Sequence, residues 1–130
     1  MVLYESPNAR VEWLENEKIV FKKFKKFIFG DDLKKAFNAG YEAMKENKGI
    51  KWLTDNSELP VYKQEDMEWI NKDWFPRMKK LGWKYWAVIQ PQSATGQLAM
   101  RHFKFYQDEG IIVKYFENYN DALAWLKSVN

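Results

Sequence analysis

Cysteine is absent from the 130 residues, and histidine occurs once, at His102. The first absence excludes disulfides, thiol nucleophiles and thiolate-held zinc, haem or iron–sulfur centres. The second leaves no pair of imidazoles to converge on a metal, and His102 shares a helical stripe with Leu98 and Phe105, where it reads as a packed ring. Long apolar runs are missing too: no stretch approaches the ~20 apolar residues that a membrane-crossing helix needs. Residues 1–7 lack a basic segment followed by an apolar one, so no secretory leader is expected there and a cytoplasmic location is. Glycine is scarce at six residues, and no Gly-rich phosphate loop or Gly-x-Ser-x-Gly elbow occurs. No cofactor or metal is expected on these grounds.

Aromatic rings are what the chain has in surplus, with 7 Trp, 7 Tyr and 9 Phe. Each ring buries a large area, so the first expectation is an aromatic-rich core. Charge is nearly balanced, at +3 overall, but unevenly placed. Residues 18–35 hold seven lysines against Asp31 and Asp32, a local +5 that leaves the remainder at −2.

Alternating and helical periodicities divide the chain into short elements without repeats or linkers, which implies a single domain over 1–130. Residues 10–15 and 18–29, in which Val11 and Trp13, then Ile19 and Phe21, alternate with polar residues, read as two antiparallel strands joined at Asn16 and Glu17. Asp31 follows Gly30 as a natural N-cap, and Leu33, Phe37, Gly40, Tyr41 and Met44 recur at helical spacing up to Asn47 and Gly49. A short strand at 50–54 leads through a polar loop to a second helix at 64–80. Its acids come early and its bases late, and Pro76 predicts a kink or break. Trp69, Trp74 and Phe75, on different azimuths of this helix, suggest a partly exposed apolar surface. A strand at 83–90, a helix at 94–109, a strand at 111–116 and a final helix from Asn118 complete the order. Asp121 stands three positions after Asn118, as in a capping box. The result is β-β-α-β-α-β-α-β-α: an α/β fold whose mixed five-stranded sheet packs with four helices.

That order, with Lys51-Trp52-Leu53-Thr54-Asp55-Asn56 and the stretch from Trp69 through Pro76, resembles the STAS family of SpoIIAA-like, anti-sigma-factor-antagonist domains. The nearest likeness is to small stand-alone bacterial members of unassigned function, and it covers nearly the whole chain. The resemblance implies an SpoIIAA-like fold and a binding or regulatory role. In the regulatory branch of the family, a serine opens the helix after the middle strand and is phosphorylated by a partner kinase. Here the matching stretch, Val61-Tyr62-Lys63-Gln64-Glu65-Asp66, has no serine, and Ser57 lies earlier in the loop. Relatives with a similar core are named for lipid handling, which implies a second class: an apolar small-molecule or lipid carrier, with Trp and Met lining a pocket.

Two loops are candidate ligand sites, because open α/β sheets gather ligands at the C-terminal ends of their parallel strands. Asp55, Asn56 and Ser57 follow one such strand; Ser93 and Thr95 follow the next and open a helix whose N–H groups suit an anion. The same polar residues also serve simply to close turns. Lys22, Lys23, Lys25 and Lys26 bracket Phe24, a pattern for an anionic partner or single-stranded nucleic acid. Lysines on an exposed strand equally guard against edge pairing, and the pI of about 8.9 with no nucleic-acid motif argues against nucleic acid. The leading expectation is a binding or regulatory module rather than an enzyme, acting through a protein partner or small ligand. A homodimer through the opening hairpin or an aromatic patch is a further expectation.

Overall fold

The computed structural model describes residues 1–91 and 104–130. Among the described residues, six strands form one mixed sheet in chain order: β1 Val2–Ser6, β2 Ala9–Leu14, β3 Ile19–Phe24, β4 Lys51–Asp55, β5 Tyr85–Ile89 and β6 Ile112–Phe116. β1–β2 and β2–β3 pair antiparallel, and β3 through β6 pair parallel. Among the described residues the helices are α1 Gly30–Asn47, α2 over 64–80, α3 at 104–108, and α4 Tyr119–Ser128.

The sheet thus has six strands where five were expected, the extra one being β1. Pro7 and Asn8 form a two-residue turn that folds Val2–Ser6 back along β2, with Ser6 opposite Ala9. β1 therefore occupies the edge, and β3 lies inside the sheet between β2 and β4. β3 also stops at Phe24, so 25–29 leaves the sheet. The expected helix at 94–109 falls largely outside the described residues, as do Ser93, Thr95 and His102.

Successive crossovers that step the same way along a sheet with the same right-handed sense place their helices on one face. Accordingly α1, α2 and α3 contribute to a single core with Val11, Trp13, Val20, Phe24, Trp52, Trp86 and Val88. α4 follows the last strand and folds onto the opposite face, burying Ala122 and Leu126 against Ile19, Leu53, Tyr85, Ala87 and Ile89. Gly40 lets α1 approach the sheet closely: a Cβ there would lie 2.3 Å from the Trp52 ring.

Two helix ends depart from expectation. Asp31 does not cap α1. The helix starts at Gly30, whose φ of +59° suits glycine, and its N–H donates to Asp66 Oδ2 of α2 at 3.1 Å. Pro76 does not break α2 either. The turn before it, Ile70–Trp74, widens to a π-helix in which the Phe75 N–H reaches back to the Ile70 carbonyl. Proline donates no N–H, and a wider turn absorbs that loss without a break. The added residue keeps Trp74 and Phe75 in the core, at 0% and 2% exposure, so the apolar surface expected there is limited to half-buried Trp69. At α4 the expected cap is present: the Asn118 side chain accepts from the Asp121 N–H at 2.8 Å.

A candidate ligand pocket at the parallel strand ends

Strand alternation decides which side chains enter the helix-covered core. On β3, Val20, Lys22 and Phe24 point into it, while Ile19, Phe21 and Lys23 face the α4 side. Parallel pairing sets Lys22 beside Thr54, and Thr54 beside Val88. These residues lie at the C-terminal ends of β3, β4 and β5, where the chain turns away and leaves room.

A small hollow of about 20 Å³, room for about one water molecule, occupies this position. Phe37 of α1, Ile70 and Trp74 of α2, and Trp86 of β5 form its apolar walls. Lys22, Thr54, Asn56, Tyr62 and Tyr106 supply its polar atoms, and among the described residues no carboxylate lines it.

Each polar group has a distinct state. Thr54 is fully buried, and its Oγ1 accepts from two indoles, Trp52 Nε1 at 3.1 Å and Trp86 Nε1 at 2.8 Å. One hydroxyl therefore fixes two rings. The Tyr106 hydroxyl donates to Asn71 Oδ1, and burial pushes the Tyr106 pKa up, so the phenol stays protonated. Asn56 holds the strand end by its backbone N–H, which donates to the Ile89 carbonyl at 2.7 Å. Its side-chain Oδ1 is buried and has no hydrogen-bond partner among the described residues.

Lys22 is the unusual member. It is 2% exposed, its Nζ lies 4.0 Å from the Phe24 ring centroid and 4.4 Å from that of Phe37, and it donates to the Tyr62 hydroxyl at 3.4 Å. Desolvation by this burial pushes its amine down to about 7. The Tyr62 hydroxyl is held well above the ordinary phenol range, first by burial and then by Tyr106.

The sequence candidates separate in space. Asn56 enters the pocket, together with Thr54. Asp55 points to the other face, 3.8 Å from Lys23, and its Oδ1 accepts from the Ser57 N–H at 2.9 Å. Ser57 is exposed and precedes α2 by a full loop, so it does not stand at a helix start. Lys25 and Lys26 are exposed and Lys23 half-exposed, while Lys22 leaves this group for the core. β3 is an interior strand, so its lysines do not guard an edge. Phe37, Tyr62, Trp74, Trp86 and Tyr106 escaped the sequence-based site. The available signal was on β3 itself: Val20 and Phe24 sit at even spacing from Lys22 and mark its face as apolar. Among the described residues no cluster of His, Asp or Glu could hold a metal ion, and no helix is long and apolar enough to cross a membrane. No known protein family, curated protein or solved structure matches this chain.

Proposed function

We propose that this domain is a non-enzymatic binding module of SpoIIAA-like, STAS-type architecture that holds a small ligand at its parallel strand ends, where the water-sized hollow widens to admit it. The order of the helix-connected strands supports the architecture. The carrying observation for the ligand is the unmatched polarity of an otherwise aromatic pocket: Asn56 Oδ1 lacks a partner among the described residues, and the Lys22 amine faces rings and one phenol. Unmet buried groups of this kind cost free energy in the empty protein and return it to a ligand that satisfies them. Aromatic walls with a few convergent polar atoms are the common form of a small-molecule site.

Nuclear magnetic resonance on ¹⁵N-labelled protein, titrated with small aromatic alcohols, amides and carboxylates, tests this reading. The indole N–H signals of Trp74 and Trp86 should shift saturably, and that of Trp125 on the other face should stay in place. Asn56→Leu should weaken the response at least ten-fold. Shifts confined to Trp125, or none with any compound, would reject the pocket.

A second reading, an apolar or lipid carrier, draws on the neighbouring surface. Segments 25–29 and 58–62 adjoin through a hydrogen bond from the Val61 N–H to the Lys26 carbonyl at 3.1 Å, and they leave Phe27, Phe29, Leu59 and Val61 exposed. Lys25, Lys26 and Lys63 lie beside them. Co-sedimentation with anionic vesicles that is lost in a Phe27→Ser, Val61→Ser double variant would favour this reading; no co-sedimentation at low salt would remove it.

A further inference from the structure

We infer that the strand-end hollow is a site for a monatomic anion, of the size and charge of chloride, held by hydrogen bonds from Lys22, Thr54 and Tyr62. The inference rests on the ligand-binding reading above and gives that ligand a chemical class, one that enters with the least widening. Three donors line the hollow with hydrogens that nothing receives. Thr54 Oγ1 accepts from Trp52 Nε1 and Trp86 Nε1, so both lone pairs of the hydroxyl are used and its own hydrogen is left to donate. The Tyr62 hydroxyl accepts from Lys22 Nζ, and its hydrogen has no acceptor among the described residues. A charged Lys22 carries three hydrogens, of which that contact uses one. The remaining hydroxyl, of Tyr106, is engaged with Asn71.

Charge points the same way. Lys22 is 2% exposed and forms no ion pair among the described residues. The Phe24 and Phe37 ring faces, 4.0 and 4.4 Å from Nζ, favour its charged form, yet rings have no net charge to neutralise it. Residues 92–103 contain no Asp or Glu, so that stretch of sequence has no carboxylate to offer either. Buried charges are paired, and a small anion is the partner that these groups leave open. Burial by itself lowers the amine to about 7, and an anion alongside favours the ammonium. Size agrees too: about 20 Å³ takes one water molecule or an ion little larger, and excludes phosphate or sulfate. Asn56 and Tyr62 are only half-buried and border the hollow on the side of the 56–63 loop, which gives a small ion its way in. Asn56 Oδ1 would repel the ion; turning the amide over presents Nδ2–H in its place. A water molecule accepts from two donors at most and leaves the ammonium unmatched, whereas an anion accepts from all three and cancels the charge. Occupancy thereby ties β3 and β4 to the 56–63 loop.

Thermal unfolding and ¹⁵N spectra of the full chain test this, with sodium chloride replacing sodium gluconate at constant ionic strength so that screening stays fixed. Gluconate is too large for the hollow. Between none and about 200 mM chloride, the unfolding midpoint should rise saturably by roughly 2–4 °C. The Trp86 indole signal, whose N–H is bonded to Thr54, should shift with the same saturation while that of Trp125 stays in place. Bromide should act as chloride does, and sulfate should leave the Trp86 signal unmoved. Lys22→Met should abolish the response, and Tyr62→Phe, which keeps the ring, should weaken chloride binding roughly five-fold or more. A Trp86 response that persists unchanged in both variants would overturn the site. If chloride leaves Trp86 unmoved while the organic compounds above still displace the Trp74 and Trp86 signals, the anion is overturned and ligand binding stands. If nothing displaces them, both are overturned.

Discussion

The two faces of this sheet are covered by different chemistry. Under α1, α2 and α3 the core is built of rings: Phe37, Trp52, Trp74, Trp83, Trp86 and Tyr106 meet mostly edge to face, with centroids 4.7 to 6.5 Å apart. Under α4 the buried residues are mainly aliphatic, Ile19, Leu53, Ala87, Ile89 and Leu126, with Tyr85 the exception. Beyond the reach of α4 that face carries surface ion pairs instead, Arg10 with Glu12 at 2.9 Å and Lys23 with Asp55 at 3.8 Å. The contrast teaches where polarity is tolerated. Indole N–H groups need acceptors in the interior, and those acceptors bring polar atoms into the ring-lined core. The aliphatic layer carries fewer such groups, the Tyr85 hydroxyl donating to the Asn130 carbonyl at its rim, and the strand-end pocket lies on the other side.

Removing one indole from each face should break the symmetry most visibly. Trp52→Ala empties a fully buried site and frees Thr54 from one of its donors, an expected loss of about 3–5 kcal/mol in urea unfolding. Trp125→Ala on α4 removes a half-buried ring and should cost about 1–2 kcal/mol. Equal losses would show that the ring layer is no more cooperative than the aliphatic one. Next in size comes Thr54→Val, nearly isosteric, which removes the acceptor shared by the N–H groups of Trp52 and Trp86 and should cost about 2–4 kcal/mol. Its check is the same unfolding curve, with the two indole signals displaced in the ¹⁵N spectrum.

The contrast was only half legible in the amino-acid order. Helical stripes identified α1 and α4 because Leu33, Phe37, Gly40 and Met44, or Ala122, Trp125 and Leu126, recur at mixed spacings of three and four that a strand would split between its faces. β1 escaped, since Val2–Ser6 is short and half-exposed and does not alternate cleanly in burial; Pro7 and Asn8 were its one turn signal. Pro76 was read by its usual effect, and the π turn that accommodates it has no local signature. Lys22 was assigned outward because one alternation, Ile19 and Phe21, looked like the buried set. In fact β3 is buried on both faces, so the second alternation of Val20, Lys22 and Phe24 was equally apolar in its surroundings. Asn56 was found through the strand-end rule, whereas Phe37 and Trp74 reach the pocket from helices, by a tertiary route no spacing announces.

Lys22 also sharpens the comparison through pH. Its folded pKa, about 7, lies below the ordinary lysine value of 10.5. Between those limits the unfolded chain binds the extra proton, so stability rises with pH by up to about 1.4 kcal/mol per unit from this group. Below pH 7 the penalty is fully present; above 10.5 it is gone. Among the described residues the titratable groups facing the amine are Tyr62 from the 56–63 loop and, across the pocket, Tyr106 from α3, and both stay neutral over this window. Lys22→Met should therefore stabilise the protein at pH 7 by about 1–3 kcal/mol and lose that advantage towards pH 10. A pH-independent difference would contradict a desolvated amine.

Lys23 supplies the smallest effect and the closest control, because it follows Lys22 on the same strand and points to the opposite face. Its ammonium is 3.8 Å from Asp55 and its side chain 43% exposed, so water shields the pair. Exposed pairs of this kind contribute about 0–1 kcal/mol and fade with salt. Lys23→Met should accordingly change stability by less than about 1 kcal/mol at low salt, and by less still in 0.5 M sodium chloride. Its pH dependence between 7 and 10 should match the unaltered protein, because the Lys22 response remains. A large, salt-insensitive loss would mean that the α4 side buries charge as the ring-lined side does, and the division of labour between the two faces would then disappear.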